Sequence, residues 1–458
     1  MTVTTRTPRG DRAHPPKGRW IEDWRPEDPA FWTARGARVA RRNLAYSIFS
    51  EHIGFSVWTL WSVLVLFLGP GYGVDAAGKF TLTAVPALVG AALRLPYTFA
   101  VARFGGRNWT VFSAALLLVP AVLAAFLVKP GVSFTTLLLL AAVAGVGGGN
   151  FASSMANINA FYPQRLKGWA LGVNAGGGNL GVAVVQLVGL LILATAGKDS
   201  PGLVAGVYIP LIVLAALGAW FRMDNLAHAR NDRRAMRDVS RDPHTWIMSV
   251  LYIGTFGSFI GFGFAFGQVL QVQFAADFDT PVKAACVTFL GPALGSLLRP
   301  AGGRLADRLG GAAVTFWTFT AMAGAAGLVL AASLRGSLPL FFVAFVLLFA
   351  LSGVGNGSTY KMIPAIFRAR ARAAADAGAA SAAAAEQEAR RLSGALIGIA
   401  GAVGAFGGVL VNIAFRQSFL TYGTGDGAYL SFIAFYAVCC ALTWLVYLRA
   451  RPGRPDGV

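Results

Sequence analysis

The sequence predicts an all-α membrane protein of twelve transmembrane helices, arranged as two pseudo-symmetric six-helix bundles with both termini in the cytoplasm. Three observations predict this fold class. The 458 residues are 56% hydrophobic and only 13% charged, and the mean hydropathy of +0.60 is too high for a soluble chain of this length. Long apolar stretches recur along almost the whole sequence. Basic residues, which give the chain its net charge of +19, gather in alternate loops.

The apolar stretches define the elements in order, because each is near the roughly 20 residues that a helix needs to cross hydrocarbon. Strands of a membrane barrel would instead alternate over about ten residues. We predict helices at 45–68, 80–102, 109–128, 134–158, 168–195, 203–221, 244–273, 283–303, 312–332, 338–360, 393–415 and 428–448. The predicted organisation is a basic tail 1–43, a bundle 44–221, a loop 222–243, a bundle 244–448 and a tail 449–458.

The distribution of Lys and Arg sets the predicted orientation. With both termini in the cytoplasm, 31 of the 39 Lys and Arg lie in tails and cytoplasmic loops, whereas 6 lie in outer loops. This bias follows the positive-inside rule, so the excess charge indicates topology rather than nucleic-acid binding. The polar, basic segment 1–43 has no apolar core of a cleavable signal peptide.

A segment rich in Ala, Arg and Glu at 368–393 interrupts the second bundle. Its composition favours a cytoplasmic helical insert between helices 10 and 11. We interpret this insert as a solvated spacer or a gate element.

The two halves of the sequence contain an internal repeat. GAALR at 90–94 matches GSLLR at 295–299, at an offset of 205 residues. Parallel six-helix repeats of this kind are typical of transporters that rock around a site between the halves near the membrane midplane.

Arg94 and Arg299 are the two basic residues predicted inside apolar helices. An arginine in the membrane is costly and normally faces a cavity or a partner. Snorkelling is one alternative, but the cytoplasmic helix ends are about 12 Å away. Structural pairing is another, but only Glu51 among the acidic residues falls inside an apolar helix. Because guanidinium is planar, always charged and rich in paired donors, we predict a shared oxyanion site.

Glycine-rich strings occur in the fourth, fifth, tenth and eleventh helices. They are GVGGGNFASSMANINAFYP at 145–163, GWALGVNAGGGNLGV at 168–182, GVGNGSTY at 353–360 and GIAGAVGAFGG at 398–408. Glycine lets membrane helices approach closely, so packing alone is one interpretation. A polar cavity is the other, because the amides of Asn150 and Asn179 need partners when they are buried.

These strings closely resemble the two signature motifs of the nitrate/nitrite porter family of the major facilitator superfamily. The motif residues are Gly149, Asn150, Gly176, Gly178, Gly355, Asn356 and Gly357. DWRPEDPAFW at 23–32 also looks like the bacterial members, which implies a multi-pass protein of the bacterial inner membrane. AGGRLADRLGG at 301–311 is similar to the loop motif of the superfamily, which implies a conformational latch that includes Asp307 and Arg308.

The resemblance, which extends from about residue 20 to 448, implies nitrate and nitrite as substrates, no cofactor and no metal. The substrate-binding residues that it implies are Arg94, Arg299, Asn179, Tyr252, Phe151 and Phe256. A phenol can donate to an oxyanion, and the two Phe rings would narrow and dry the site. Without the resemblance, the three aromatic residues would be interpreted as ordinary core. Some relatives have a serine where this chain has Gly401, so no hydroxyl contact is expected there.

The predicted function is nitrate import in exchange for nitrite by a carrier that acts as a monomer. Because arginine keeps its proton, closing the halves around an unloaded pair of guanidiniums should be costly. The main alternative is nitrate–proton symport with Glu51 and His52 as coupling groups, although both are expected near the cytoplasmic helix end, within reach of headgroups. A haem enzyme is disfavoured because the 4 His do not form a ligand set. A drug carrier is disfavoured because two arginines suit a small anion.

Overall fold

The structure, a computed structural model, describes residues 19–227, 233–379 and 381–449. Within these ranges the chain is almost entirely helical, and twelve helices are long and apolar enough to cross a membrane. We name them α1 to α12. Their bounds are Pro29–Phe67, Ala76–Phe104, Gly106–Leu127, Phe134–Phe161, Gln164–Thr195, Pro201–Arg222, Pro243–Gln273, Pro281–Leu309, Gly311–Leu334, Leu338–Asp376, Ala382–Tyr422 and Asp426–Leu448.

Each predicted span overlaps one observed helix, so the prediction of an all-helical chain with twelve spans is confirmed. The bounds differ most where a helix carries charge. Helix α1 begins at Pro29 rather than at 45, and α10 and α11 extend far into 368–393, to Asp376 and from Ala382. Apolarity marks the part of a helix that suits hydrocarbon, whereas Ala, Arg and Glu continue the same helix into water.

Among the helices that leave α-geometry along their length, three are relevant to the site. Helix α1 breaks after Trp58 and resumes at Trp61, α4 contains a 3₁₀ stretch at Gly145–Gly149, and α7 contains a π-helical turn at Ile253–Gly257. Turns of this kind re-aim the side chains that follow and are frequent at functional sites. All three irregular segments adjoin residues of the site described below.

One end of the bundle, here called the tail face, carries a small parallel sheet and a linker helix. Strand β1 (Trp20–Ile21) pairs with β2 (Asn225–Leu226), and neither strand was predicted. Asp224, just before β2, forms an ion pair with Arg42 of α1. The linker helix Arg233–Ser240 packs against α11. Residues 19–28 before α1 and 223–227 after α6 are therefore fixed to the bundle.

At the opposite end, called the closed face, the two halves are in direct contact. The ring of Phe80 in α2 stacks on Phe415 and Phe419 in α11, with ring centroids 5.8 and 5.4 Å apart. Nearby, Thr83 Oγ1 donates a hydrogen bond of 2.8 Å to Asn412 Oδ1. A ligand between the halves therefore has no open route through this end.

Glycines let the two helices that carry the arginines pack closely against α4 and α10. A Cβ added at Gly148 of α4 would lie 2.6 Å from Gly90 Cα of α2. In the other half, a Cβ at Gly353 of α10 would lie 2.1 Å from the Gly295 carbonyl oxygen of α8. Both distances are shorter than atoms allow, so these backbones approach as closely as they do only without side chains.

We expect Gly353→Ala to destabilise the protein, because the new methyl group must displace the backbone of α8. Overpacking of this kind costs about 1–3 kcal/mol, which a thermal unfolding curve in detergent detects as a lower midpoint. The matched control is Gly324→Ala in α9, where no atom lies within 4 Å of the added Cβ. Equal unfolding midpoints for the two variants would contradict the packing argument.

Candidate functional site

Arg94 of α2 is fully buried between the two halves. Its Nη1 donates to the Gly401 carbonyl oxygen of α11 at 2.7 Å, and its Nε donates to the Gly148 carbonyl oxygen of α4 at 3.3 Å. Its Nη2 has no hydrogen-bond partner among the described residues. One side of a buried guanidinium is thus held by backbone from both halves, and the other side retains unused donors.

Aromatic rings surround the guanidinium of Arg94. Its Cζ lies 4.5 Å from the ring centroid of Phe151, 4.7 Å from that of Phe256 and 5.4 Å from that of Trp58. Phe151 and Phe256, which come from opposite halves, stack with centroids 6.0 Å apart. Cation–π attraction of this kind partly offsets the cost of burying a charge where water is excluded.

Irregular turns of the backbone orient the two Phe rings. Phe151 follows the 3₁₀ stretch Gly145–Gly149, with only Asn150 between them, and Phe256 lies within the π-helical turn Ile253–Gly257. A regular α-helix would rotate these side chains to other directions, because each non-α turn changes the angle between successive residues.

Arg299 of α8 is also buried, with 4% of its surface exposed. Its Nη2 donates to Tyr252 Oη at 3.2 Å, whereas its Nη1 has no partner in the part of the chain that the structure describes. Its Cζ lies 5.9 Å from the ring centroid of Phe151. Both guanidiniums are therefore within 6 Å of the same ring, and the structure brings together the two arginines, Phe151, Phe256 and Tyr252.

A cavity of about 60 Å³ adjoins Arg94 and leads towards the tail face. Its inner wall includes Phe151, Tyr360 and Gly401, and its outer wall includes the half-buried Thr98 and Asn159. A volume of this size accommodates a few water molecules or one small ion. The cavity thus reaches Arg94 from the tail-face side, while the closed face is sealed.

Tyr360 of α10 is a site residue that sequence reasoning missed. Its ring lies 5.5 Å from Arg299 Cζ and 5.7 Å from the ring of Tyr252. Its hydroxyl is buried, lacks a partner among the described residues and belongs to a residue that lines the cavity. The available signal was its position at the end of GVGNGSTY, one helical turn after Asn356.

The three predicted asparagines are buried but form no hydrogen bond to either arginine among the described residues. Asn150, Asn179 and Asn356 are at most 4% exposed, and their side-chain amide atoms have no hydrogen-bond partner among the residues described. No hydrogen bond joins Asn179 to either arginine within the described ranges. The role of Asn179 in anion binding stays a prediction.

The signature glycines make room for neighbouring groups. At four of them an added Cβ would lie within 2.7 Å of another group. The group is the Tyr97 ring at Gly149, Glu51 Oε1 at Gly178, a Thr255 methyl at Gly355 and the Arg299 carbonyl oxygen at Gly357. At Gly176 no atom lies within 4 Å of the added Cβ. The packing interpretation therefore holds for most of them.

The expectation that Glu51 lies near the end of α1, within reach of headgroups, is wrong. Glu51 is fully buried. The α-helical part of α1 begins at Ala37, and Glu51 lies about 21 Å further along the helix axis, at about 1.5 Å per residue. Its Oε2 accepts hydrogen bonds from Ser154 Oγ and from Asn174 Nδ2, the second at 2.6 Å. The prediction failed because it used the position of Glu51 along α1, whereas the packing of α4 and α5 against this face of α1 determines its burial. His52 is half-buried, and its Nδ1 contacts the Gly177 carbonyl oxygen at 3.0 Å.

The residues of the predicted latch lie at the tail-face end of α8. Asp307 forms an ion pair of 2.7 Å with Lys361 of α10. A Cβ added at Gly168 of α5 would lie 3.7 Å from Lys361 Nζ, so this pair sits beside the other half. Arg308 is exposed, and no ion pair links it to another described residue.

The chemistry of this arrangement suits a small anion. Two arginines retain donors, one aromatic ring lies beside both, and the surrounding walls are apolar. No group of three or more His, Cys, Asp or Glu that could hold a metal occurs among the described residues. Guanidinium donors with dry walls favour a planar, weakly hydrated oxyanion over a strongly hydrated one.

Comparison with known proteins identifies the class first. The sequence pattern of the Major Facilitator Superfamily matches residues 52–385, so the chain belongs to this superfamily of transporters. A nucleoside transporter, NupG, has the same fold with a TM-score of 0.60 at 11% identity, over 88% of this chain and 99% of that one. A bacterial homolog of the human lysosomal transporter Spinster also has a TM-score of 0.60, at 16% identity over 90% of this chain and 98% of its own.

Sequence relatives then identify the family. The chain is 39% identical to the nitrate/nitrite transporter NarU of Salmonella typhimurium, over 94% of this chain and 97% of the relative. It is 35% identical to the probable nitrate/nitrite antiporter NarK2 of Thermus thermophilus, over 96% and 99% of the two chains. The chain is thus a multi-pass membrane protein of the nitrate/nitrite porter family.

We expect Tyr360→Phe to weaken anion binding about ten- to a hundredfold, because it removes a hydroxyl that is positioned to donate to an anion between the arginines. The measurement is calorimetric titration of the purified protein with nitrate. Tyr97→Phe is the matched control, because its hydroxyl is also buried without a described partner but Tyr97 does not line the cavity. An affinity loss of the same size in both variants would argue against a direct contact at Tyr360.

Proposed function

We propose that this protein imports nitrate in exchange for nitrite, by alternating access around a two-arginine anion site. The observation that carries the proposal is the pair of buried donors, Arg94 Nη2 and Arg299 Nη1, which have no protein partner among the described residues. Buried donors without partners are rare and require an explanation, and an oxyanion between them would supply the missing acceptors. The relatives named nitrate/nitrite transporter and antiporter favour nitrate and nitrite as the anions.

The exchange follows from the cost of buried charge. Arginine does not release its proton, so Arg94 and Arg299 stay cationic throughout the transport cycle. Closing the tail face would remove the remaining water from both groups, which is unfavourable without a counter-charge. A bound monoanion lowers this cost, so the carrier changes its orientation rapidly only when it is loaded. Nitrate bound on one side therefore has to be replaced by an anion carried back from the other side.

The surrounding residues would orient the anion. The hydroxyl oxygen of Tyr252 accepts a hydrogen bond from Arg299 Nη2, so the Tyr252 hydroxyl can direct its own proton to the substrate. The faces of Phe151 and Phe256 would cover a flat ion and exclude competing hydrated ions. Asn179 would contribute amide donors if the helices move closer in another conformation of the cycle.

We infer that the tail face is cytoplasmic and that the membrane is the bacterial inner membrane. The positive-inside distribution of Lys and Arg supports this orientation. The cavity would then be open to the cytoplasm. One chain contains both arginines, so a monomer is sufficient for the proposed mechanism.

We expect Arg94→Lys and Arg299→Lys each to lower nitrate affinity at least tenfold while the protein remains folded. Lysine keeps the charge but lacks the planar pair of donors, and a hydrogen bond to a charged group contributes about 1.5–3 kcal/mol. Calorimetric titration with nitrate measures the loss, and the exposed Arg308→Lys serves as the control. Affinity unchanged in both site variants would refute paired-donor recognition.

We expect nitrite inside reconstituted vesicles to accelerate nitrate uptake by about tenfold or more, because the loaded carrier returns faster than the unloaded one. The measurement is uptake of labelled nitrate at a clamped membrane potential, with and without internal nitrite. Vesicles that contain only a large impermeant anion are the control. Equal initial rates in the two preparations would exclude obligatory exchange.

A second candidate is one-way import of nitrate together with protons. The burial of Glu51 in hydrogen-bond contact with Ser154 and Asn174 favours it more than the sequence did, because the carboxyl group is close to the site rather than at the membrane surface. Nitrate uptake by vesicles with and without internal nitrite separates the two modes. A symporter takes up nitrate into vesicles that lack internal nitrite when the outside is acidic.

A further inference from the structure

Glu51 is a buried titratable group that the exchange mechanism does not use. Among the described residues of the twelve spans it is the only buried acidic side chain. Its Oε2 accepts from Ser154 Oγ and from Asn174 Nδ2, and Asn174 Nδ2 also lies 2.8 Å from Ser154 Oγ. Its Oε1 has no donor in the described part of the chain. Half of this carboxyl group is held by hydrogen bonds, and the other half is free to carry a proton.

Short contacts connect this group to the anion site. Ser154 Oγ donates to the Phe151 carbonyl oxygen at 3.1 Å, and Phe151 covers the guanidinium of Arg94. Asn174 Nδ2 lies 3.6 Å from the sulfur of Met155, a residue that lines the cavity. One layer of side chains therefore separates Glu51 from the water-accessible cavity.

The charged and titratable groups that face Glu51 come from the anion site itself. Arg94 of α2, Arg299 of α8 and Tyr360 of α10 interact with it electrostatically. The hydrogen-bond partners described on α4 and α5, Ser154 and Asn174, are uncharged. On α1 itself, the neighbouring His52 ring bonds to the Gly177 carbonyl oxygen. On α6, Tyr208 faces Ser56, more than a turn beyond Glu51.

We propose that Glu51 binds a proton in step with the anion, so that it is a proton site linked to the two-arginine site. The proposal rests on anion binding by Arg94 and Arg299. An ionised Glu51 and a bound anion repel each other and compete for the same two cations. A hydronium ion in the cavity transfers a proton to Oε1 and removes this repulsion. One O–H bond of hydronium breaks, one O–H bond of the carboxylic acid forms, and a water molecule remains in the cavity.

Linkage of this kind is reciprocal. If protonation of Glu51 strengthens anion binding, anion binding must draw a proton onto Glu51 by the same factor. Affinity is then high at low pH and decreases as pH rises through the titration of Glu51 in the unloaded carrier. Nitrate and nitrite would each carry the proton, so strict exchange moves no net protons, whereas any one-way movement of anion does. The proton site would therefore determine how many protons cross the membrane when an anion is transported without exchange.

The test is calorimetric titration of the purified full chain with nitrate, from about pH 5 to about pH 9, in buffers that differ in ionisation enthalpy. In the wild type we expect affinity to decrease roughly tenfold across this range, and we expect proton uptake when nitrate binds. Glu51→Gln should hold the low-pH affinity at every pH and take up no proton. The exposed Glu388→Gln is the matched control and should behave as the wild type does.

A second variant provides an independent test of the proposal if Glu51→Gln does not fold. Ser154→Ala removes a donor to ionised Glu51, so the midpoint of the affinity change should move to higher pH while the low-pH affinity stays the same. An unmoved midpoint would overturn the proposal, and so would a wild type that binds nitrate with no pH dependence and no proton uptake. A wild type that binds no nitrate at any pH would overturn the anion site together with this inference, whereas the other outcomes leave nitrate binding intact.

Discussion

Two permanently charged arginines buried in a helical membrane protein are the constraint on which the rest of this structure depends. Arg94 and Arg299 cannot be neutralised by losing a proton, and Glu51 is the single buried carboxyl among the described residues of the spans. Backbone carbonyl groups and aromatic faces surround Arg94, and a tyrosine hydroxyl and aromatic rings adjoin Arg299. These groups reduce the cost of burial but leave donors free, and the free donors define what the site can bind.

The packing of the helices follows from the same constraint. The arginines lie between the halves only because α2 and α8 pack closely against the glycines of α4 and α10. Arg94 of the first half also donates to the Gly401 carbonyl oxygen of the second half. In the proposed mechanism, an anion at Nη2 of Arg94 would bind the same guanidinium that makes this contact between the halves. We propose that substrate binding and the relative movement of the halves are coupled at this side chain.

The sequence was sufficient for the twelve spans and for the arginine pair, whereas the aromatic residues around the pair followed only from the resemblance to the family. Hydropathy marks spans because the bilayer imposes length, and charge inside a span is conspicuous because it is costly. Other features depend on tertiary structure. The π-helical turn that holds Phe256 has no sequence code, and the partner of Arg94 at Gly401 is a backbone atom that any residue would supply. Sequence comparison drew attention to a missing hydroxyl at Gly401, whereas its carbonyl oxygen is the group in contact.

The depth of Glu51 and the role of Tyr360 were missed for different reasons. Glu51 was assigned to the membrane surface because its position along α1 was considered without the helices α4 and α5 that bury it. Tyr360 was treated as part of a glycine-rich motif and not as a binding residue, because only the fold brings it next to Arg299.

The most direct test of the central claim is an experimental density map of the protein with nitrate bound. The account predicts one planar density between Arg94 and Arg299, beside the ring of Phe151, with the free donors of both guanidiniums directed at it. An anion bound elsewhere, or held by one arginine while the other keeps the contacts described here, would contradict it.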